Sequence, residues 1–369
     1  MRYLKEIVKF TMLSITAVNS DTQTFFGGTK LPISLKTKKR LGRNGGTNLP
    51  FAYRGSERSP PFVVIGLKWI PLLEARHEGV RQPGEVRSFH SFWRPMLPTR
   101  TYLDEIIAVC RQRLKGTRAR VPLEQVQEAA QACHERRDFA GALSGPGLSI
   151  IAELKKASPS RGLLRQDYRC RELAQGYEAA GAAALSVLTE EHFFQGSLTD
   201  LIDARDAVEL PVLRKDFILA SYQVYESAAA NADALLVIVA AVPDKVLREL
   251  IELCGRLQMA ALVEVHTEEE VGRAVSAGAS IIGVNNRDLK TFEVALETSL
   301  RLRDRIPSNC LAVSESGIRT AADLLRLREA GYNAALIGEH LMTAQDPGLE
   351  LATMIGDDDW RSRSQKSQD

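Results

Sequence analysis

Long apolar runs are missing from this chain. No stretch reaches the roughly 18 uninterrupted apolar residues of a membrane-crossing helix, and Lys68 splits the best candidate, Phe62–Leu73. Cysteine is sparse: five in 369 residues, with no CxxC pair and no His/Cys cluster. That excludes a disulfide scaffold and a zinc module, and a reducing, cytoplasmic setting is expected. Neither metal-ligand spacing nor a cofactor fingerprint is found, so no metal or cofactor is expected. The net charge of only +2 hides an asymmetry. Residues 1–98 hold 16 Lys and Arg against 6 Asp and Glu, and the remainder holds 32 against 40, a balance of +10 and −8. An acidic body argues against nucleic acid as its main partner.

Residues 1–98 show no sustained periodicity. Gly27–Gly46 is rich in Gly, Lys and Thr and contains the run Lys36-Thr37-Lys38-Lys39-Arg40, while Ser56–Pro61 and Arg81–Trp93 are rich in breakers and charge. A basic arm of low order is expected there, and a disordered tail over 357–369. Met1–Ser20 is a poor signal peptide, because Thr and Ser interrupt its apolar stretch Phe10–Val18. A solvated linker, or upstream sequence with Met96 as the true start, fits the arm better than a tail that contacts RNA or a membrane.

The character changes at Thr101. Leu103, Ile106, Ile107, Cys110 and Leu114 recur at helical spacing with Gly116 as a stop, and Pro122–Arg137 reads as a second helix. From Ser149, apolar β-branched runs alternate with amphipathic segments. The runs are Ser149–Lys155, Ala183–Thr189, Pro211–Phe217, Ala234–Ala240, Ala260–His266, Ile281–Asn286, Leu311–Ser316 and Ala334–Glu339. The intervening segments include Arg171–Ala180, Asp244–Leu257, Glu268–Ala277 and Thr320–Ala330. Strands buried on both faces imply a parallel sheet, and eight β–α units imply a (β/α)₈ TIM barrel with an N-terminal helical extension, spanning 99–356. A doubly wound open sheet would favour a Gly-rich loop after its first strand, where Glu153-Leu154-Lys155-Lys156 stands instead.

Active sites of such barrels form at the C-terminal strand ends. Here those ends carry Glu153 and Lys155 (on one face, two apart), Lys215-Asp216, Glu264-Val265-His266, Asn285-Asn286-Arg287-Asp288, Ser314-Glu315-Ser316-Gly317 and Gly338-Glu339. One charge at a strand end is ordinarily a wetted end. Six such ends at one mouth point to acid–base chemistry, since each group moves its neighbours' pKa. His266 reads as a supporting residue rather than a metal ligand. The turns Ser316-Gly317 and Gly338-Glu339 suit a phosphate pocket, where glycine admits the anion to backbone N–H groups. A Glu at 339 would repel phosphate, so its side chain is expected to point away. The loop Ala157–Gly162 suits either a substrate-covering lid or a plain connector.

Ile150-Ile151-Ala152-Glu153-Leu154-Lys155-Lys156-Ala157-Ser158-Pro159-Ser160 resembles the first-strand signature of indole-3-glycerol-phosphate synthases. Ser186–Glu190, Leu213–Ile218, Leu262–His266, Ile282–Leu289, Ser314–Ile318 and Leu336–Glu339 resemble the family's other strand ends, in the family's order. The resemblance runs from about Thr101 to Ile355. It implies a tryptophan-biosynthetic carboxy-lyase acting on 1-(2-carboxyphenylamino)-1-deoxyribulose 5-phosphate. In it Lys215 is the general acid and Lys155 the partner of the substrate carboxylate. Glu264 is the leading base, with Glu153 orienting the substrate or taking over as base during dehydration. Asn285 and Glu315 position substrate and Arg287 reaches it. Ser158, Ser316, Gly317, Gly338 and the N–H of Glu339 contact phosphate, and Phe217 and Leu236 wall the anthranilate ring. A monomer or weak oligomer is expected, open to association with other enzymes of the pathway.

Two rival readings fit less well. Phosphoribosylanthranilate isomerase, a sister phosphosugar barrel, would want Cys and Asp at its strand ends. A non-catalytic binding barrel would have lost its charged ends, and none is lost here. All expected catalytic groups lie beyond Ser149, so a chain beginning at Met96 is expected to be soluble, cooperatively folded and about as active as the full chain. Deleting through Ser144 is expected to cost activity or affinity. Turnover of the two truncations, with limited proteolysis of the full chain to find the first cuts, checks this.

Overall fold

A reciprocal cap opens the first helix. In this computed structural model, which describes residues 101–133, 135–288 and 291–356, the Thr101 hydroxyl accepts the Asp104 N–H at 3.3 Å. The Asp104 carboxylate accepts the Thr101 N–H in return at 2.8 Å, a reciprocal cap that satisfies two otherwise orphaned donors. Helix α1 (Tyr102–Arg120) follows and buries Ile106, Ile107 and Cys110. Gly116 does not stop it. Nothing crowds that position, and an isolated helical Gly costs only about 1 kcal/mol. The stop is set by Pro122, which drives Val121 to an extended φ of −122°.

Helix α2 (Leu123–Gln131) is shorter than the expected Pro122–Arg137. The backbone beyond it is drawn onto the barrel: Arg136 Nη2 donates to the Ala228 carbonyl at 3.0 Å and the Arg137 N–H to Asp233 Oδ1 at 2.8 Å. A third helix, α3 (Phe139–Leu143), was not expected. Asp138 caps it, and it buries Phe139 and Leu143. The expected arm (1–98) and tail (357–369) lie outside the described residues.

The strands are β1 (Ser149–Leu154), β2 (Ala184–Leu188), β3 (Val212–Lys215), β4 (Ala234–Ile238), β5 (Ala260–Val265), β6 (Ile281–Asn285), β7 (Leu311–Glu315) and β8 (Ala334–Ile337). Between them run α4 (Cys170–Ala179), α5 (Leu198–Ala207), α6 (Ser221–Ala229), α7 (Asp244–Arg256), α8 (Glu268–Ser276), α9 (Glu297–Leu302) and α10 (Ala321–Glu329), with α11 (Glu339–Thr343) and α12 (Pro347–Gly356) after β8. All strand pairs are parallel and the sheet closes in the order β1-β8-β7-β6-β5-β4-β3-β2. This is the (β/α)₈ barrel expected from the sequence. The loop after β1 forms a two-residue hairpin, Ala157–Ser158 with Gly162–Leu163. Every run begins within one residue of its strand, but the C-terminal ends are over-extended. Val239–Ala241 is a 3₁₀ turn, and Glu339 opens α11 rather than closing β8.

Register sets the mouth. Leu188 pairs with Lys215, Ile238 with Glu264 and Asn285 with Glu315, so polar strand ends come level with one another. At the opposite end, buried Asp233 accepts from Arg205 Nε (3.1 Å), Arg205 Nη2 (3.1 Å) and the N–H groups of Val212 and Arg137. Among the described residues no helix is long and apolar enough to cross a membrane. Arg205→Met would leave the Asp233 carboxylate buried with only backbone donors. A loss of about 3–5 kcal/mol is expected, read as an earlier urea midpoint with an unchanged slope.

Candidate active site

Side chains two apart on a strand share a face, and at the end of β1 this brings Lys155 Nζ to Glu153 Oε1 at 2.7 Å. The Ser186 hydroxyl, on the residue registered with Glu153, lies 3.4 Å from its other oxygen. Burial pushes the Glu153 carboxyl up, but the ammonium groups of Lys155 and Lys215 outweigh it and hold the group below the usual carboxylate range. Glu153 is therefore ionised beside the Lys155 side chain.

Lys215 ends β3 and donates to Glu264 Oε2 at 3.3 Å and, more closely, to Glu315 Oε2. Burial alone would lower its pKa. The carboxylates of Glu315, Glu264 and Glu153 reverse that and hold the ammonium above its ordinary value. Glu264 is likewise raised by burial but carried below its ordinary value by Lys215, His266 and the Asn285 amide. Glu315 goes the other way. Burial pushes it up to about 7 against the pull of Lys215, with Glu264 adding to the rise. One cup thus holds an ionised carboxylate, Glu264, and one able to carry a proton at neutral pH, Glu315, on the same ammonium.

All fourteen residues expected at the site line one cavity of about 450 Å³: Glu153, Lys155, Ser158, Lys215, Phe217, Leu236, Glu264, Asn285, Arg287, Glu315, Ser316, Gly317, Gly338 and Glu339. The charged groups of the cup come from the ends of alternate strands, β1, β3, β5 and β7. Phe217, Leu236, Leu188 and Ile238 supply apolar surface. Toward the last two turns, the Ser158 hydroxyl is buried with no hydrogen-bond partner. Ser316 and Gly317 are both left-handed, at φ 69° and 80°, a reversal that suits an anion-binding backbone turn.

Two expectations change in detail. A side chain at Gly338 would collide first with the Glu153 carboxylate, so that glycine makes room for Glu153 as much as for any ligand. Gly283 does the same for Glu315. Glu339 does not turn away from the mouth. It accepts from Arg161 Nε at 3.1 Å and Arg287 Nη2 at 3.1 Å, so two guanidinium groups neutralise it at the cavity rim.

The cavity also takes in residues beyond those expected at the site. Tyr102, Leu103 and Ile106 bring α1 to the mouth, and Phe194, Phe292 and Val294 come from loops. Tyr102 meets Phe193 and Phe292 edge-on, with centroids 5.6 and 5.1 Å apart. Arg113 of α1 grips both oxygens of Asp216 at 3.0 Å. Asp216 also accepts from Arg214 Nη2 (2.9 Å), the Thr189 hydroxyl (2.7 Å) and the Phe217 N–H (2.8 Å), which fixes the backbone beside Lys215.

The family model for indole-3-glycerol phosphate synthase matches residues 103–354. The chain belongs to the indole-3-glycerol phosphate synthase family. Among curated members, the synthase of Polaromonas sp. is 49% identical over 258 residues, covering 69% of this chain and 98% of that one. The synthase of Mycolicibacterium smegmatis is 49% identical over 255 residues, covering 69% and 94%. That of Polaromonas naphthalenivorans is 47% identical over 259 residues, covering 69% and 98%. The overlap with these synthases thus takes in nearly all of each relative. Because Gly338 borders Glu153, Gly338→Ala is expected to lower kcat as well as raise KM. Steady-state kinetics that show a KM effect alone would mean that Gly338 serves only ligand contact.

Proposed function

We propose that the barrel makes indole-3-glycerol phosphate from 1-(2-carboxyphenylamino)-1-deoxyribulose 5-phosphate, the step of tryptophan biosynthesis that the family's name denotes. The ring carbon that bears the carboxylate bonds to the ribulose C2 carbonyl carbon. The carbonyl oxygen takes up a proton, carbon dioxide leaves and the ring regains aromaticity. The hydroxyl then departs as water, with a proton lost from the new five-membered ring. This sequence needs a proton donor at the oxygen, a cation for the carboxylate and a base.

Lys215 Nζ, held between Glu264 and Glu315 and facing the same cavity as the Lys155–Glu153 pair, is the single observation that carries the reading. Lys215 gives its proton to the carbonyl oxygen, and the surrounding carboxylates keep it charged until then. Lys155 pairs with the substrate carboxylate and is near enough to the Glu153 proton chemistry to assist loss of the hydroxyl. Glu264, kept ionised, accepts the proton that the new five-membered ring loses as the hydroxyl departs. Glu153 orients the substrate amine and C2 oxygen or serves as base in dehydration. Asn285 and Glu315 position these groups, Arg287 reaches substrate from the rim, and Phe217 and Leu236 pack against the anthranilate ring. Ser158, Ser316, Gly317, Gly338 and the backbone N–H of Glu339 receive the phosphate. The unpartnered Ser158 hydroxyl supports that end of the pose.

The partner in this reading is a small phosphosugar-anthranilate. The same reading places the chain in the cytoplasm, as a monomer or weak oligomer open to association with other tryptophan-pathway enzymes.

Lys215→Ala is expected to keep its circular dichroism and lose roughly 10²–10⁴-fold in turnover, the usual contribution of a positioned acid. Product formation followed by indole fluorescence reads it, and near-parental turnover in a folded variant removes Lys215 from the acid role.

A further inference from the structure

One buried imidazole beside the cavity has no part in the chemistry above. His266 follows β5, two residues beyond Glu264, with its side chain 12% exposed. Its Nδ1 lies 3.2 Å from Glu270 Oε2. The same oxygen accepts the His266 backbone N–H at 2.7 Å, so the first turn of α8 locks both ring and backbone. The other nitrogen, Nε2, is buried without a hydrogen-bond partner and lies 3.5 Å from Glu264 Oε1. Glu264 therefore has Lys215 on one oxygen and His266 beside the other.

We propose that His266 is a positioning residue for the indole-forming reaction: locked by Glu270, its ring fixes the rotation of the Glu264 carboxylate and keeps that group ionised. The inference rests on the reading of Glu264 as the proton acceptor. A carboxylate buried among apolar strands needs a donor or cation for each oxygen, or it rotates or takes up a proton. Lys215 serves Oε2, the Asn285 amide adds a donor, and His266 Nε2 stands beside Oε1. The charged groups around the ring agree with the assignment. Glu264 of β5, Glu270 of α8 and Glu315 of β7 act on it, and Lys215 of β3 stands on the far side of Glu264. Burial would lower the imidazole pKa, but the Glu270 hydrogen bond and the Glu264 charge raise it above its ordinary value.

The direction of the effect follows. A cationic ring depresses the Glu264 pKa, so removing the charge raises it. The acidic limb of the kcat/KM profile should then move to higher pH. Three variants of the full chain, His266→Gln, Glu270→Gln and Glu264→Gln, are compared by indole fluorescence across pH, with circular dichroism as the check on folding. His266→Gln is expected to keep KM and lose roughly tenfold in kcat, less than the 10²–10⁴-fold of losing the base itself. Its acidic limb should rise by about one pH unit, as expected when an opposite charge within ~4–6 Å is removed. Glu270→Gln retains the ring and unlocks it, and is expected to shift the limb the same way by less. If His266→Gln misfolds, the Glu270→Gln profile decides. Parental kcat and parental profiles in the folded variants would overturn the proposal. Near-parental turnover of Glu264→Gln would instead remove the base assignment beneath it.

Discussion

Two ammonium groups sit among apolar strands, and neither could stay charged there alone. Desolvating each ion costs several kcal/mol, a cost offset only by close opposite charge and hydrogen bonds. Lys215 is therefore met by Glu264 and Glu315, and Lys155 by Glu153. The pairing accounts for much else at the mouth. Register has to bring Asn285 level with Glu315 and Ile238 level with Glu264. Glycines have to stand at 283 and 338, where a side chain would press on a carboxylate. The pKa values separate as a result: Glu264 and Glu153 stay ionised, and Glu315 alone rises to about 7.

The barrel does not build this cup unaided. Helix α1 supplies Tyr102, Leu103 and Ile106 to the cavity wall, and its Arg113 neutralises Asp216, the residue after Lys215. The chain then descends along α6 to the far end, where Arg136 and Arg137 bind carbonyl groups and Asp233. The extension is thus held at both ends by charged hydrogen bonds and between them by apolar packing. This explains why a segment outside the eight β–α units can shape the entrance to them.

The architecture was legible because barrel strands buried on both faces leave unbroken β-branched runs, and because charged residues stand out at the ends of such runs. Where each strand stops was less legible. A polar residue after an apolar run reads alike whether it continues the ladder or turns into the mouth, and so Glu339 was assigned to a strand and lies in α11. Helix α3, five residues long, has too few turns to show a period. Gly116 reads as a terminator, yet α1 runs past it to Arg120 and ends against Pro122, which also opens α2. At the site, which residues share the cavity was legible and the long-range pairings were not. Lys215 meets partners 49 and 100 positions away, and only the closed sheet brings them together. Phe292, a single residue in an irregular loop, carried no pattern to mark it as a cavity residue. The neighbour that needs the space at Gly338 is invisible in a string of letters.

The fit of Gly338 against Glu153 also bears on how such a sequence can diverge. The two positions are 185 apart in the chain, yet each constrains the other through a space smaller than a methyl group. A larger residue at 338 presses on the Glu153 carboxylate unless a shorter one replaces it, and a shorter one there forfeits the partner of Lys155. Change at either position is thus coupled to the other, and a barrel of this build that carries Ala at 338 has to seat its carboxylate at 153 differently. The same holds for 283 and 315, so the pattern of small residues on neighbouring strands records, independently of the charged residues themselves, where the chemistry sits.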